Sequence, residues 1–167
     1  PAAGAQPTVA QAAQLGAGQT IYIVAAKHNP NAAAELAAFN QKFGLPTCAT
    51  RTLAASTALP LPAASKTGCE LVVAYSSATG TLSATAPAYD SGWATEIALD
   101  VQWSHAIAPL ARIVLVEAPD ASVNNLTAAI RLANAMGPGV VSMSFGAAEG
   151  AWTSTLDSAF STANMTY

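Results

Sequence analysis

Residues Ser91–Pro109 read SGWATEIALDVQWSHAIAP. The stretch predicts a helix, with Asp90 or Ser91 able to cap its start and Pro109 closing it. Trp93, Ile97, Leu99, Val101, Trp103 and Ile107 spread around its circumference. A helix apolar nearly all round belongs in an interior. Glu96 and Asp100 nevertheless stand in its middle, four positions apart and therefore on one face. Two like charges at that spacing repel, and burial raises the cost of ionising either one. No Lys or Arg lies within a turn of them. Two carboxylates held close can share one proton, with one pKa raised and the other lowered. That suits a general base at acid pH, where histidine is already protonated. The bland alternative is a solvated helix edge, but the same stripe continues to Trp103 and Ile107, which favours a working pair.

Outward from this helix the chain alternates. Gln19–Ala26 (QTIYIVAA) is a β-rich run of buried-strand type. A helix is predicted from about Asn31 to Phe43, ended by Gly44 and Pro46. CATRTLA and CELVVAYSS, beginning at Cys48 and Cys69, read as two strands around a proline-containing loop, and could form an antiparallel hairpin. Ala111–Ala118 (ARIVLVEA) is a central strand, Ser122–Gly137 an amphipathic helix, and Pro138–Gly146 (PGVVSMSFG) another core strand. Trp152–Tyr167 is read as a last helix with no strand after it. Strands alternating with helices predict an α/β fold, a mostly parallel sheet with helices on both faces. Residues 1–18 are a leader that wraps the surface, with a short helix at Val9–Leu15. No internal repeat or linker divides the 167 residues, so they form one domain.

Composition narrows the function classes. Hydrophobic residues make up 52% and charged ones only 9%, far below the usual quarter or so. Six basic residues are scattered and the net charge is −3, which disfavours nucleic acid and anionic membranes as partners. No apolar run is long enough to span a membrane, and the first residues show no signal peptide. Few ionisable groups leave little to disrupt at low pH, a hint of acid tolerance. Two cysteines, Cys48 and Cys69, fit one disulfide in an oxidising compartment, or else two separate buried thiols. Neither has His or Cys neighbours at metal-ligand spacing, so no metal site is expected.

Several motifs are decoys. Gly16-Ala-Gly18 precedes its strand, whereas a dinucleotide fingerprint must follow one. His28 sits in a post-strand loop and is expected at the surface. His105 points well away from the Glu96/Asp100 stripe. Asp90-Ser91-Gly92 is an N-cap.

The stretch G-W-A-T-E-I-A-L-D-V-Q-W-S-H-A-I-A-P resembles the catalytic helix of the sedolisins, the serine-carboxyl peptidases. A-R-I-V-L-V and V-V-S-M-S-F-G-A-A-E are similar to that family's following strand and its substrate-lining strand. The resemblance implies a subtilisin-like fold, here about the N-terminal half of a peptidase catalytic domain. It implies that Glu96 takes the proton of a nucleophilic serine and that Asp100 orients and polarises Glu96. Ser144, Phe145 and Gly146 would pair with a protein or peptide substrate by β-augmentation. The family's nucleophile, in a Ser-Gly-Thr-Ser-type motif, and its oxyanion aspartate, in a Ser-Gly-Asp-type motif, do not occur in this chain. Tyr167 falls a few residues before the expected aspartate. Some relatives carry a further carboxylate just after the first strand; here that position is Ala25-Ala26-Lys27. The whole protein is thus expected to be a secreted, acid-acting endopeptidase, with calcium in a C-terminal part outside these residues and no cofactor within them. The 167 residues alone are expected to be inactive and to dimerise or aggregate through exposed core surface. The alternative is a non-catalytic α/β binding or structural module whose acid pair is incidental.

Overall fold

The computed structural model describes residues 7–167. A seven-stranded, mostly parallel sheet is flanked by helices, as the alternation predicts. The elements are α1 (Val9–Gln14), β1 (Thr20–Ala26), α2 (Ala32–Phe43), β2 (Ala49–Thr52), β3 (Glu70–Ser76), β4 (Leu82–Ser83), α3 (Ser91–Ile107), β5 (Arg112–Ala118), α4 (Val123–Met136), β6 (Gly139–Ser142), a 3₁₀ segment (Thr153–Phe160) and β7 (Met165–Thr166). Strands run in the order β2-β3-β5-β1-β6-β7, and β4 pairs antiparallel with β3. All seven residues of β5 are buried, as expected of a central strand covered on both faces.

The sheet divides the core in two. On one face α2 and α3 set Leu36, Ile97 and Val101 against Ile23, Leu71, Ile113 and Leu115. On the other, α4 sets Leu126, Ile130 and Leu132 against Val24, Val114 and Val116. Each such side chain taken from water contributes roughly 1.5–3 kcal/mol. The leader residues 1–6 lie outside the described region. From Pro7 on, α1 is tied down by the Leu110 amide, which donates to the Leu15 carbonyl at 2.9 Å. The Gly16-Ala-Gly18 turn has a packing reason: Gly16 has φ +88°, and a Cβ there would meet the Cβ atoms of Ala108 and Ala111 at 3.0 Å.

The position of α3 is unusual in topology. α2 joins β1 to β2 towards one sheet edge, and α4 joins β5 to β6 towards the other, on opposite faces. These two crossovers therefore share a hand. α3 joins β3 to β5 in the direction of the α4 crossover but lies on the α2 face, so it has the opposite hand. About 98% of such connections are right-handed, which makes the helix carrying Glu96 and Asp100 the exception.

Three expectations are corrected. β2 and β3 are parallel, with Ala49 opposite Glu70, not an antiparallel hairpin. Cys48 and Cys69 each immediately precede their strands, so the bond between them ties two strand starts, and the long Leu53–Cys69 connection has room to return. The disulfide itself forms. The final segment is not one helix: a 3₁₀ turn gives way to β7, which pairs parallel with β6. Its Ser, Thr, Asp and Asn side chains compete with helical backbone bonds, and Asn164 takes a left-handed φ of +62°. Finally, α3 is not buried all round. Ile97, Val101 and His105 are its buried side chains, while Leu99, Trp103 and Ile107 are 48%, 62% and 75% exposed.

Candidate active site

Parallel α/β sheets bind ligands beyond the carboxyl ends of their strands. There the chain brings together the first half of α3 and the end of β6. The Asp90 carboxylate caps α3 by accepting from the Trp93 amide at 2.9 Å, which sets the helical phase. One face of α3 is anchored by Ile97 and Val101, so Glu96 and Asp100 lie on its flank towards β6. Along β6 the side chains alternate. Val141, Met143 and Phe145 pack on the α4 side, leaving Ser144 to face α3. The Ser144 hydroxyl donates to Asp100 Oδ1 at 2.8 Å.

Asp100 is held above the ordinary carboxylate range. Burial is the largest cause; the Ser144 hydroxyl acts against it, and the charge of Glu96 adds to it. Asp100 Oδ2 is buried without a partner, and a buried unpaired carboxylate oxygen favours retaining a proton.

Two cavities flank this junction. One, of about 330 Å³, is lined by Asp90, Gly92, Trp93, Glu96 and Ser144. The other, of about 310 Å³, is apolar and is lined by Leu126, Ile130, Phe145, Gly146, Trp152 and Phe160 among others. Between them, among the described residues, no backbone hydrogen bond ties Ser144, Phe145 or Gly146 to a neighbouring segment.

One cluster near this edge escaped sequence reasoning. Glu117, 0% exposed, accepts from the Asn29 amide at 3.0 Å and lies 2.6 Å from His28 Nδ1. His28 is therefore half-buried and paired rather than loose at the surface, and its ring meets Tyr75 edge-on. Burial pushes the Glu117 carboxyl up; its bonds to Asn29 and His28 oppose that. The Asn29 side chain in turn donates to Ala94 O of α3 at 3.1 Å and to Glu35 at 2.8 Å. Glu117 stands opposite Ala25 in the ladder. No hydrogen bond joins it to Glu96 or Asp100 among the described residues. The signal available was a lone Glu in the buried run ARIVLVEA.

His105 lies at the far end of α3, against the disulfide, and serves no part of this site. Calcium requires clustered oxygen ligands. Among the described residues the close group of ligand-type side chains is Cys48, Cys69 and His105, which does not suit that ion. Among the described residues, no helix is long and apolar enough to cross a membrane.

This arrangement of sheet and helices is a sedolisin-like, and so subtilisin-like, fold. Among solved structures the chain is similar to Pseudomonas sedolisin (serine-carboxyl proteinase) complexed with two molecules of pseudo-iodotyrostatin, with a TM-score of 0.60 and 21% identity. The match covers 96% of this chain and 38% of that one, so the chain spans well under half the length of its structural neighbour. No protein-family model matches, and no curated protein matches.

Proposed function

We propose that this chain is the proton-accepting half of a serine-type endopeptidase that works at acid pH. The observation that supports the reading is the 2.8 Å bond from Ser144 to Asp100, which ties the helix carrying both acids to the segment Ser144–Gly146. Glu96 takes the proton from an attacking serine hydroxyl, and Asp100 orients Glu96 and holds the proton between the two carboxyls. A peptide extended along Ser144–Gly146 adds a strand there, with alternate side chains entering the two flanking cavities. The nucleophile and oxyanion stabiliser come from chain outside these residues, so these residues alone do not turn over substrate. The substrates are unfolded proteins or peptides, and the setting is outside the cytoplasm, in keeping with the disulfide.

The test is hydrolysis of a denatured protein at acid pH by the complete gene product. The expected result is turnover in the wild type and its loss in Glu96→Gln, with unchanged circular dichroism. Unimpaired cleavage by that variant would remove Glu96 from the mechanism. A non-catalytic binding module is the alternative, and it predicts no cleavage by either protein.

A further inference from the structure

At the end of α3 remote from Glu96, His105 is 0% exposed. Its Nε2 lies 3.1 Å from the Pro46 carbonyl oxygen. A carbonyl oxygen only accepts, so Nε2 carries the proton and Nδ1 is left with a bare lone pair. The partner facing that lone pair is Cys48 Sγ at 3.5 Å. Cys48 is disulfide-bonded to Cys69, so its sulfur has no proton to give. The oxidised protein therefore buries an imidazole acceptor without a donor, which needs an explanation.

From this geometry we infer that Cys48, Cys69 and His105 form a latent binding site for a thiophilic divalent cation, with zinc as its natural size and charge, and that the site opens when the disulfide is reduced. Three features fit. The three ligand atoms lie within 4.8 Å of one another. Zinc bonds of about 2.3 Å to sulfur and about 2.0–2.1 Å to nitrogen at tetrahedral angles place such ligands roughly 3.6 Å apart, close to the spacing of Nδ1 and Cys48 Sγ. Histidine ligands commonly donate their second N–H to a backbone carbonyl, which fixes tautomer and ring orientation, and Pro46 already fills that place. A cavity of about 340 Å³ lined by Pro46, Thr47, Gly68, Cys69 and Leu110 among others provides entry and room for a water as fourth ligand.

The chemistry balances with a dithiol or phosphine as reductant. The S–S bond takes up two electrons and two protons, giving two thiols, and the reductant is oxidised. Zinc binding then releases both protons, and two thiolates with one neutral imidazole match the charge of the ion. The contacts joining Cys48 to Cys69 and His105 link residues far apart in sequence, which is why spacing along the chain gave no metal signature.

The test is titration of the whole chain with Co²⁺ and then Zn²⁺, before and after treatment with a phosphine. The inference expects no binding when oxidised. After reduction it expects one Co²⁺ per chain with a thiolate-to-cobalt absorption band, displaced by Zn²⁺. It expects loss of the band in Cys48→Ser/Cys69→Ser, and in His105→Gln an affinity roughly tenfold or more lower. Circular dichroism accompanies each titration. Refolding of a loosened reduced chain on adding Zn²⁺ would also support the site. Absence of binding in the reduced chain, folded or not, would overturn it. Equal affinity in His105→Gln and wild type would as well, because metal held by the cysteines of an unfolded chain does not need His105.

Discussion

Ser144, two residues past the end of β6, and Asp100, on α3, are joined by a 2.8 Å hydrogen bond across the carboxyl edge of the sheet. It ties α3 to the segment after β6, and it pulls the Asp100 carboxyl down against burial and Glu96. Ser144→Ala removes that opposing pull, so Asp100 should titrate at higher pH than in the wild type, as read by carboxyl ¹³C shifts. A net hydrogen bond contributes about 0.5–1.5 kcal/mol, and the melting temperature should fall by no more than that implies. An unmoved Asp100 midpoint would mean that the bond does not form in solution.

Stability should fall as pH rises above the carboxylate range. Asp100 and Glu117 both have folded pKa values raised above their ordinary 3.8 and 4.5. A raised group keeps its proton in the folded state at a pH where the unfolded chain has lost it. Its stabilising contribution is complete below the unfolded value and is lost as pH climbs through the folded one. Asp120 works in the opposite direction. Bonds from Ser122 and Asn125 hold it down at about 2, so its contribution is lost as pH drops through that value. Urea midpoints measured across the acid range should peak in mild acid and decline towards neutrality. Glu117→Gln should flatten the decline, and a wild-type curve rising to neutrality would contradict these directions.

His28→Ala leaves Glu117 with the Asn29 amide as its remaining hydrogen-bond donor. Since His28 helps to hold the Glu117 carboxyl down, the variant should lose more stability at neutral pH than at acid pH. The Asn29 side chain braces Ala94 O, so loosening should show as faster amide exchange in the first turn of α3. Equal loss at both pH values would deny the pairing an electrostatic role.

Cys48 and Cys69 are 21 positions apart. Closing a loop of that size stabilises a fold by about 3 kcal/mol. The Cys48→Ser/Cys69→Ser pair should lower the unfolding free energy by about that much. The loss should appear first in β2, an edge strand with all four residues exposed.

Leu99, Trp103 and Ile107, spaced four apart along one face of α3, are exposed, and exposed apolar patches drive association. The chain should self-associate in sedimentation experiments at concentrations where most single domains remain monomeric. Replacing Trp103 and Ile107 with glutamate should reduce association while leaving the melting temperature within about 1 kcal/mol of stability change. Association unaffected by both changes would place the interface elsewhere.

Much of the fold was legible because β1, β3 and β5 are near-continuous apolar runs and α3 carries its own cap and stop. The acid pair was legible because helical spacing alone puts residues four apart on one face. What escaped depends on contacts between distant segments. The parallel pairing of β2 with β3, the return of β7 and the meeting of Glu117 with His28 follow from sheet register, which local periodicity does not encode. The exposure of Trp103 was misjudged for a related reason. An apolar flank reports that something should cover a helix, not that the cover lies within the residues at hand.

Most directly at stake is whether Glu96 and Asp100 act as one proton-sharing unit. The measurement is the carboxyl ¹³C titration of Asp100 in wild type and in Glu96→Gln. Glu96 raises the Asp100 pKa through its charge, so the substitution should shift the Asp100 midpoint to lower pH. An Asp100 curve identical in the two proteins would show the acids to be independent, and the proposed proton acceptor would not exist.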